Sequence, residues 1–87
     1  MSDARYSVGF TPAAARQWRR LTRQVQAQLQ PVIDALAAEP RPSGVVKLEG
    51  GEGYRVRSGD FRVVYDIQDR ELIVMIVRVG NRREIYR

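Results

Sequence analysis

The sequence predicts an α+β domain in which a helical hairpin packs on one face of a mostly antiparallel sheet. Three observations support this class. Apolar residues recur at helical spacing in the first half, alternate or run continuously in the second half, and the length of 87 residues suits one small domain. We therefore expect residues 1–87 to form a single domain with the order β-α-α-β-β-β.

A short strand opens the chain, because a period of two places three apolar side chains of residues 5–10 on one face: Tyr6, Val8 and Phe10. Thr11 then caps a helix, and Pro12 occupies the first helical position, where no hydrogen bond is lost. The pattern predicts a strand that leads directly into a helix.

The helical region carries one apolar stripe that spans two helices. Its members lie three or four positions apart: Trp18, Leu21, Val25, Leu29, Val32, Ile33 and Leu36. Thr22 is placed to cap a second helix, and Pro31 disrupts a straight hydrogen-bond ladder. We expect helices over 12–20 and 23–38 with a kink near Pro31, ended by the proline-rich segment 39–44.

The second half reads as strands. Alternation or continuous apolar character predicts them at four places: residues 54–57, 61–67, 72–79 and 84–87. Ser58, Gly59 and Asp60 predict a tight hairpin turn. The nearly all-apolar third segment indicates a strand covered on both faces, interrupted at Gly80-Asn81. Residues 45–48 either form a strand or lead into one.

Composition restricts the chemistry. The chain has no cysteine and no histidine, which excludes thiol nucleophiles, thiolate zinc sites and Ser-His-Asp triads within it. The absence of these residues does not exclude a magnesium site built from carboxylates. However, Asp66, Asp69 and Glu71 lack metal-ligand spacing and are typical of a solvated turn. We therefore expect neither a metal nor a cofactor.

The charge balance favours a polyanionic partner. Fifteen Lys and Arg face ten Asp and Glu, and Lys47 is the only lysine. A basic domain suits nucleic acid, an acidic protein or an anionic membrane surface, although arginine use also fits codon bias. The N-terminus lacks an apolar targeting segment, and the longest apolar run, residues 72–77, is far shorter than a membrane span. We expect a cytoplasmic protein.

Arginines gather on one face of the predicted sheet, which we expect to be exposed. Arg55 and Arg57 lie two apart in one strand, and the tight turn brings Arg62 of the next strand beside them. Asp66 is the only acidic residue predicted on this face, so the positive charges of the arginines are not balanced and repel each other. Such an arrangement is expected of an anion-binding surface. The alternative is an ordinary solvated face. Further arginines follow in the third strand, in the tail and on the helices: Arg78, Arg82, Arg83, Arg87, Arg16, Arg19, Arg20 and Arg23.

Two motifs carry a resemblance to a known family. Residues 54–65 read Y-R-V-R-S-G-D-F-R-V-V-Y, and residues 79–86 read V-G-N-R-R-E-I-Y. Together with F-T-P-A-A at residues 10–14 and K-L-E-G at residues 47–50, they resemble the RelE branch of the RelE/ParE superfamily of bacterial toxin–antitoxin toxins. The resemblance covers nearly the whole chain.

The resemblance implies a metal-independent endoribonuclease that cleaves messenger RNA in the ribosomal A site by attack of a 2′-hydroxyl. It places catalytic roles at Arg55, Arg57, Arg62, Arg82 and Tyr86, and RNA-binding roles at Lys47, Arg55, Arg57, Arg78 and Arg83. It also implies a RelB-like antitoxin, the 70S ribosome and messenger RNA as partners, and no membrane.

One departure from the family pattern affects the mechanism. The best-known RelE members carry lysines where this chain has Arg55 and Arg57. Arginine stays protonated, so these residues are expected to stabilise charge, and the general base stays open. Two alternatives stay open as well. One is a gyrase inhibitor like the ParE branch, and the other is a catalytically weakened paralogue that keeps antitoxin binding.

Overall fold

The computed structural model of the protein describes residues 5–48 and 53–81. Within them, two helices and five strands follow one another along the chain: β1 (Ser7–Phe10), α1 (Pro12–Arg20), α2 (Arg23–Ala35), β2 (Val46–Lys47), β3 (Tyr54–Ser58), β4 (Phe61–Gln68) and β5 (Ile73–Asn81). The α+β class with a helical hairpin is confirmed, and residues 45–48 contribute a short strand. The strand predicted over 84–87 lies outside the described residues.

Both helices begin where the sequence predicts. The Thr11 hydroxyl accepts a hydrogen bond from the Ala14 amide at 3.1 Å, and the Thr22 hydroxyl accepts one from the Val25 amide at 3.2 Å. The second helix is shorter than expected, because α2 ends at Ala35 and the chain continues as turns. Pro31 lies inside α2 without ending it.

The five strands form one sheet in the order β1-β5-β4-β3-β2. Strand β1 runs parallel to β5, and the other neighbours are antiparallel. The tight turn is confirmed, since Ser58 pairs with Phe61 and Gly59 has a φ of +60°. The predicted interruption at Gly80 is wrong, because Gly80 pairs with Arg62 and keeps β5 extended through Asn81.

A β-bulge in β5 changes which face its side chains occupy. Val64 pairs with Arg78, but the next residue of β4, Tyr65, pairs with Ile76. Val77 is therefore the additional residue. As a result Arg78 shares a face with Val64, while Ile76 shares the opposite face with Tyr65.

The core lies between the helical hairpin and one face of the sheet. Helix residues Ala14, Leu29, Ile33 and Leu36 pack there against strand residues that are also buried: Val56, Val63, Tyr65, Val74, Ile76 and Val79. The opposite face of the sheet is partly buried as well, since Arg62 and Val64 on that face are only 6% and 5% exposed. No helix in the described ranges is long and apolar enough to span a membrane.

Candidate functional site

Four arginines share the sheet face that points away from the helices. We call Arg55, Arg57, Arg62 and Arg78 the arginine face. The strand register sets them in two adjacent rows across β3, β4 and β5. One row is Arg57, Arg62 and Gly80, and the other is Arg55, Val64 and Arg78. Side chains directly opposite each other on one sheet face lie about 5 Å apart at their Cβ atoms, so Arg57 lies beside Arg62, and Val64 lies between Arg55 and Arg78.

The members of the arginine face differ in exposure. Arg57 is exposed, Arg55 is half-buried and Arg62 is almost fully buried. The expectation that all three lie on an exposed surface is therefore wrong for Arg62. It occupies β4, the middle strand of the sheet, and is only 6% exposed. A buried guanidinium is held in a narrower range of orientations than an exposed one.

The neighbourhood of Arg55 and Arg57 leaves space for an anion. Gly80, opposite Arg62 on β5, has no side chain to fill its row. None of the side-chain hydrogen bonds or ion pairs found among the described residues involves the guanidinium of Arg57. A cavity of about 200 Å³, lined by Gly44, Val46, Arg55 and Arg57, lies on the side of β3 that faces β2, away from Arg62. The cavity can therefore receive a phosphate-sized group beside the guanidinium groups of Arg55 and Arg57.

Other predicted residues do not join the arginine face. Lys47 pairs with Tyr54, so it points toward the other face, and Val46 accompanies Arg55 instead. Asp66 shares the face but pairs with Met75, and its carboxylate accepts a hydrogen bond from the Ile67 amide at 3.0 Å. Three predicted site residues lie outside the described residues: Arg82, Arg83 and Tyr86.

Sequence reasoning missed the contacts that hold the loop between α2 and β2. The Tyr65 hydroxyl donates a hydrogen bond to the Pro40 carbonyl at 2.6 Å. The Arg41 guanidinium binds both carboxylate oxygens of Asp69, at 3.2 and 2.9 Å, and lies 5.3 Å from the centre of the Tyr54 ring. The loop leads into β2, so these contacts position the wall of the cavity beside Arg55. No short-range pattern signals partners so distant in sequence.

The pKa values of two groups beside this loop are shifted. Burial raises the pKa of Tyr65 to about 12. Hydrogen bonds from Arg41 and then from the Tyr6 hydroxyl hold the pKa of Asp69 below its ordinary value. Both shifts favour, at neutral pH, the protonation state that makes the contact: the neutral Tyr65 hydroxyl and the charged Asp69 carboxylate.

Comparison with known proteins agrees with this architecture. Residues 8–86 match the family described as the ParE toxin of the type II toxin–antitoxin system. The chain is 31% identical over 86 residues to the mRNA interferase toxin RelE of Escherichia coli K12, an alignment that covers 93% of this chain and 90% of that protein.

Two solved structures show the same fold at moderate identity. One is the intact RelBE toxin–antitoxin complex of E. coli, with a TM-score of 0.77, 30% identity and coverage of 87% of this chain and 95% of that one. The other is the RelBE2 complex of Mycobacterium tuberculosis, with a TM-score of 0.78, 27% identity and coverage of 93% and 95%. The chain therefore belongs to the RelE/ParE superfamily, as a RelE-type toxin of a type II toxin–antitoxin system.

Proposed function

We propose that this toxin is an endoribonuclease that cleaves messenger RNA in the ribosomal A site without a metal ion. In the proposed reaction a 2′-hydroxyl loses its proton and its oxygen attacks the adjacent phosphorus. The bond from phosphorus to the 5′-oxygen breaks and that oxygen takes up a proton, leaving a 2′,3′-cyclic phosphate and a 5′-hydroxyl. The observation that carries the proposal is the row in which Arg57 and Arg62 lie opposite each other with Gly80 beside them.

This row suits the charge that develops in the reaction. The attacked phosphate passes through a pentavalent state with additional negative charge on its oxygens. Guanidinium groups fixed around that charge stabilise it more than water does, because they need no reorientation. Arg62, buried and held within the middle strand, would bind the reacting phosphate. Arg57, exposed beside it, would complete the clamp.

The remaining residues would bind and orient the RNA. Arg55 and Arg78 lie in the adjacent row, one strand to either side of Val64, where they can contact flanking phosphates. By resemblance, Arg82 would add to charge stabilisation, Arg83 would bind RNA, and Tyr86 would stack on a base or assist proton transfer. Lys47, on the other face, would contact RNA only beyond this site.

The arginines do not serve as the general base in this proposal. A guanidinium stays protonated at every pH at which RNA and ribosomes are stable. Arg55 and Arg57 therefore act on the stability of the attacking alkoxide and the phosphate, not by taking the 2′-proton. Their electrostatic field lowers the pKa of the 2′-hydroxyl and so increases the fraction that is ready to attack.

The proposed partners follow from the relatives. The similar structures are complexes of RelE with the antitoxin RelB, and a RelB-like protein would neutralise this toxin. The ribosome would supply the messenger RNA in a fixed geometry, in the cytoplasm. The net charge of +5 provides the long-range attraction to RNA.

A reconstituted cleavage reaction tests the chemistry. Ribosomes carry a short messenger RNA, and a matched messenger has a single 2′-deoxynucleotide at the cleaved position. We expect cleavage of the first RNA with a 2′,3′-cyclic phosphate end and no cleavage of the second. Arg62→Ala should reduce the rate by about 100-fold or more, while the control Arg16→Ala, on the exposed surface of α1, should change it by less than about twofold. Cleavage of the deoxy-substituted RNA would exclude the mechanism.

A further inference from the structure

One wall of the cavity beside Arg55 and Arg57 is held by contacts that lie outside the cavity. Gly44 and Val46 form this wall. The first belongs to the connection between α2 and β2, residues 36–45, and the second begins β2. Strand β2 has two residues and is the outermost strand on its side of the sheet. The position of the wall therefore depends on what fixes the connection.

An arginine ties the exposed part of this connection to the body of the fold. The Arg41 guanidinium donates to both carboxylate oxygens of Asp69, at 3.2 and 2.9 Å, and its Nε donates to the Tyr54 hydroxyl at 3.3 Å. The Tyr54 ring stacks in turn on the buried Tyr65 ring, with centroids 6.0 Å apart. Oδ1 of Asp69 also accepts a hydrogen bond from the Tyr6 hydroxyl at 2.7 Å. We call Arg41, Asp69 and Tyr54 the Arg41 cluster.

The chain between the Arg41 cluster and the cavity is stiff. Pro40 and Pro42 flank Arg41, and a proline fixes its own φ and restricts the residue before it. The Val45 amide donates to the Pro42 carbonyl at 3.1 Å, which closes a turn around Gly44. Because Gly44 follows Arg41 by three positions, a displacement of Arg41 is passed on to the wall of the cavity.

The Arg41 cluster contributes more to the position of the loop than to the stability of the fold. The side chains of Arg41 and Asp69 are 44% and 55% exposed, and exposed ion pairs contribute little to stability because water competes for both charges. The core and the buried hydrogen bond from Tyr65 to Pro40 do not depend on this pair. Loss of the pair should therefore leave the protein folded and loosen the loop beyond Pro40.

We propose that Arg41 is a positioning residue, which holds the loop where the cavity binds a phosphate group of the substrate. The inference deepens the proposed function and rests on it for the identity of that phosphate. Arg41 does not itself contact the phosphate, because its guanidinium lies against Tyr54, and Tyr54 points to the face of the sheet opposite Arg55. Its effect is that the wall is already in place, so binding does not include the cost of ordering the loop.

The charge of Asp69 separates positioning from simple electrostatic attraction. Asp69→Asn makes the protein more positive, and attraction alone would then strengthen the binding of an anion. Positioning predicts weaker binding, because this substitution releases Arg41. Arg41→Gln should have the same effect, and the double variant should bind no worse than either single variant, since both break one contact. Arg70→Gln, in the exposed turn after Asp69, is the matched control for the loss of one positive charge.

A phosphate titration of the full chain is the first test. Inorganic phosphate is added, and the amide chemical shifts of Gly44 and Val46 are followed in spectra that also show whether each variant is folded. We expect saturable shifts in the wild type. The Kd should rise at least about fivefold in Arg41→Gln and in Asp69→Asn, and less than about twofold in Arg70→Gln. No shift at these amides in the wild type, tighter binding by Asp69→Asn, or additive losses in the double variant would each overturn the proposal.

Single-turnover cleavage of messenger RNA on ribosomes is the second test. We expect Arg41→Gln to raise the toxin concentration at half-maximal rate at least about fivefold and to change the maximal rate less than about twofold, because the Arg41 cluster does not touch the phosphate that reacts at Arg62. A lower maximal rate at an unchanged half-saturating concentration would contradict a positioning role. Absence of cleavage by the wild type would refute the proposed ribonuclease instead, and the phosphate titration would still decide the role of Arg41.

Discussion

The hydrogen bond between Tyr65 and Pro40 gives a stability prediction whose size follows from burial. Tyr65 is fully buried, Pro40 is buried, and the hydroxyl donates to the Pro40 carbonyl at 2.6 Å. Tyr65→Phe keeps the ring in the core and removes only the donor. The carbonyl is then buried without that partner, which costs about 1–3 kcal/mol. With a urea m value of about 1 kcal/mol per M, the unfolding midpoint should fall by about 1–3 M.

The matched control is Tyr54→Phe. The Tyr54 hydroxyl accepts a hydrogen bond from Nε of Arg41 at 3.3 Å in an exposed setting, where water replaces the lost group. We expect Tyr54→Phe to lower the free energy of unfolding by less than about 1 kcal/mol. Equal midpoints for the wild type and Tyr65→Phe, with the control unchanged, would refute the assignment of the loop anchor to this bond.

The same variant carries a pH signature. The pKa of Tyr65 is raised from 10.0 in the unfolded chain to about 12 in the fold. The unfolded chain therefore loses this proton first, and the stabilisation, complete below pH 10, is lost as the pH rises toward 12. The stability difference between the wild type and Tyr65→Phe should shrink across that window in urea titrations. A difference that stays constant with pH would contradict the burial of this hydroxyl.

Three further predictions follow from the contacts around the site. Gly53→Ala should lower the free energy of unfolding, measured in urea, by about 1–3 kcal/mol, because Gly53 has a φ of +102° and a Cβ there would meet the Tyr65 carbonyl. Gly44→Ala is the control: its φ is +85°, but a Cβ there meets open space, so this variant should be destabilised less. Asp69→Asn should be less stable than the wild type at neutral pH. The difference in stability should vanish as the pH falls below 3.8, because the Asp69 carboxylate has a lowered pKa in the fold and stabilises it only while it is charged. Arg57→Gln should reduce the slope of log affinity for single-stranded RNA against log salt concentration by about 0.7, and an unchanged slope would exclude a phosphate contact there.

Local sequence patterns predicted the features that depend on neighbouring residues. The two threonine caps and the turn at Gly59 were predictable because each uses contacts within a few positions. The extension of β5 through Gly80 was not, because it depends on pairing with Arg62 in β4. The bulge at Val77 likewise arises from the fit between strands.

The candidate site shows the same division. Alternation alone placed Arg55, Arg57 and Arg62 on one face, and the register has them there. The alternation gave no information about burial, and burial distinguishes Arg62 in the middle strand from Arg57 at the surface. The contact between Arg41 and Asp69 joins residues 28 positions apart, beyond the reach of any local pattern.

The most direct test of the proposed function is a map of messenger RNA 5′-ends after the protein is induced in growing bacterial cells. The wild type should arrest growth and produce new ends at a constant position relative to the reading frame, and Arg62→Ala, expressed to the same level, should produce neither. Growth arrest with no new ends would contradict the ribonuclease and favour inhibition of gyrase, which a supercoiling assay with the purified protein would show. Equal cleavage by Arg62→Ala would contradict the role assigned to the buried arginine.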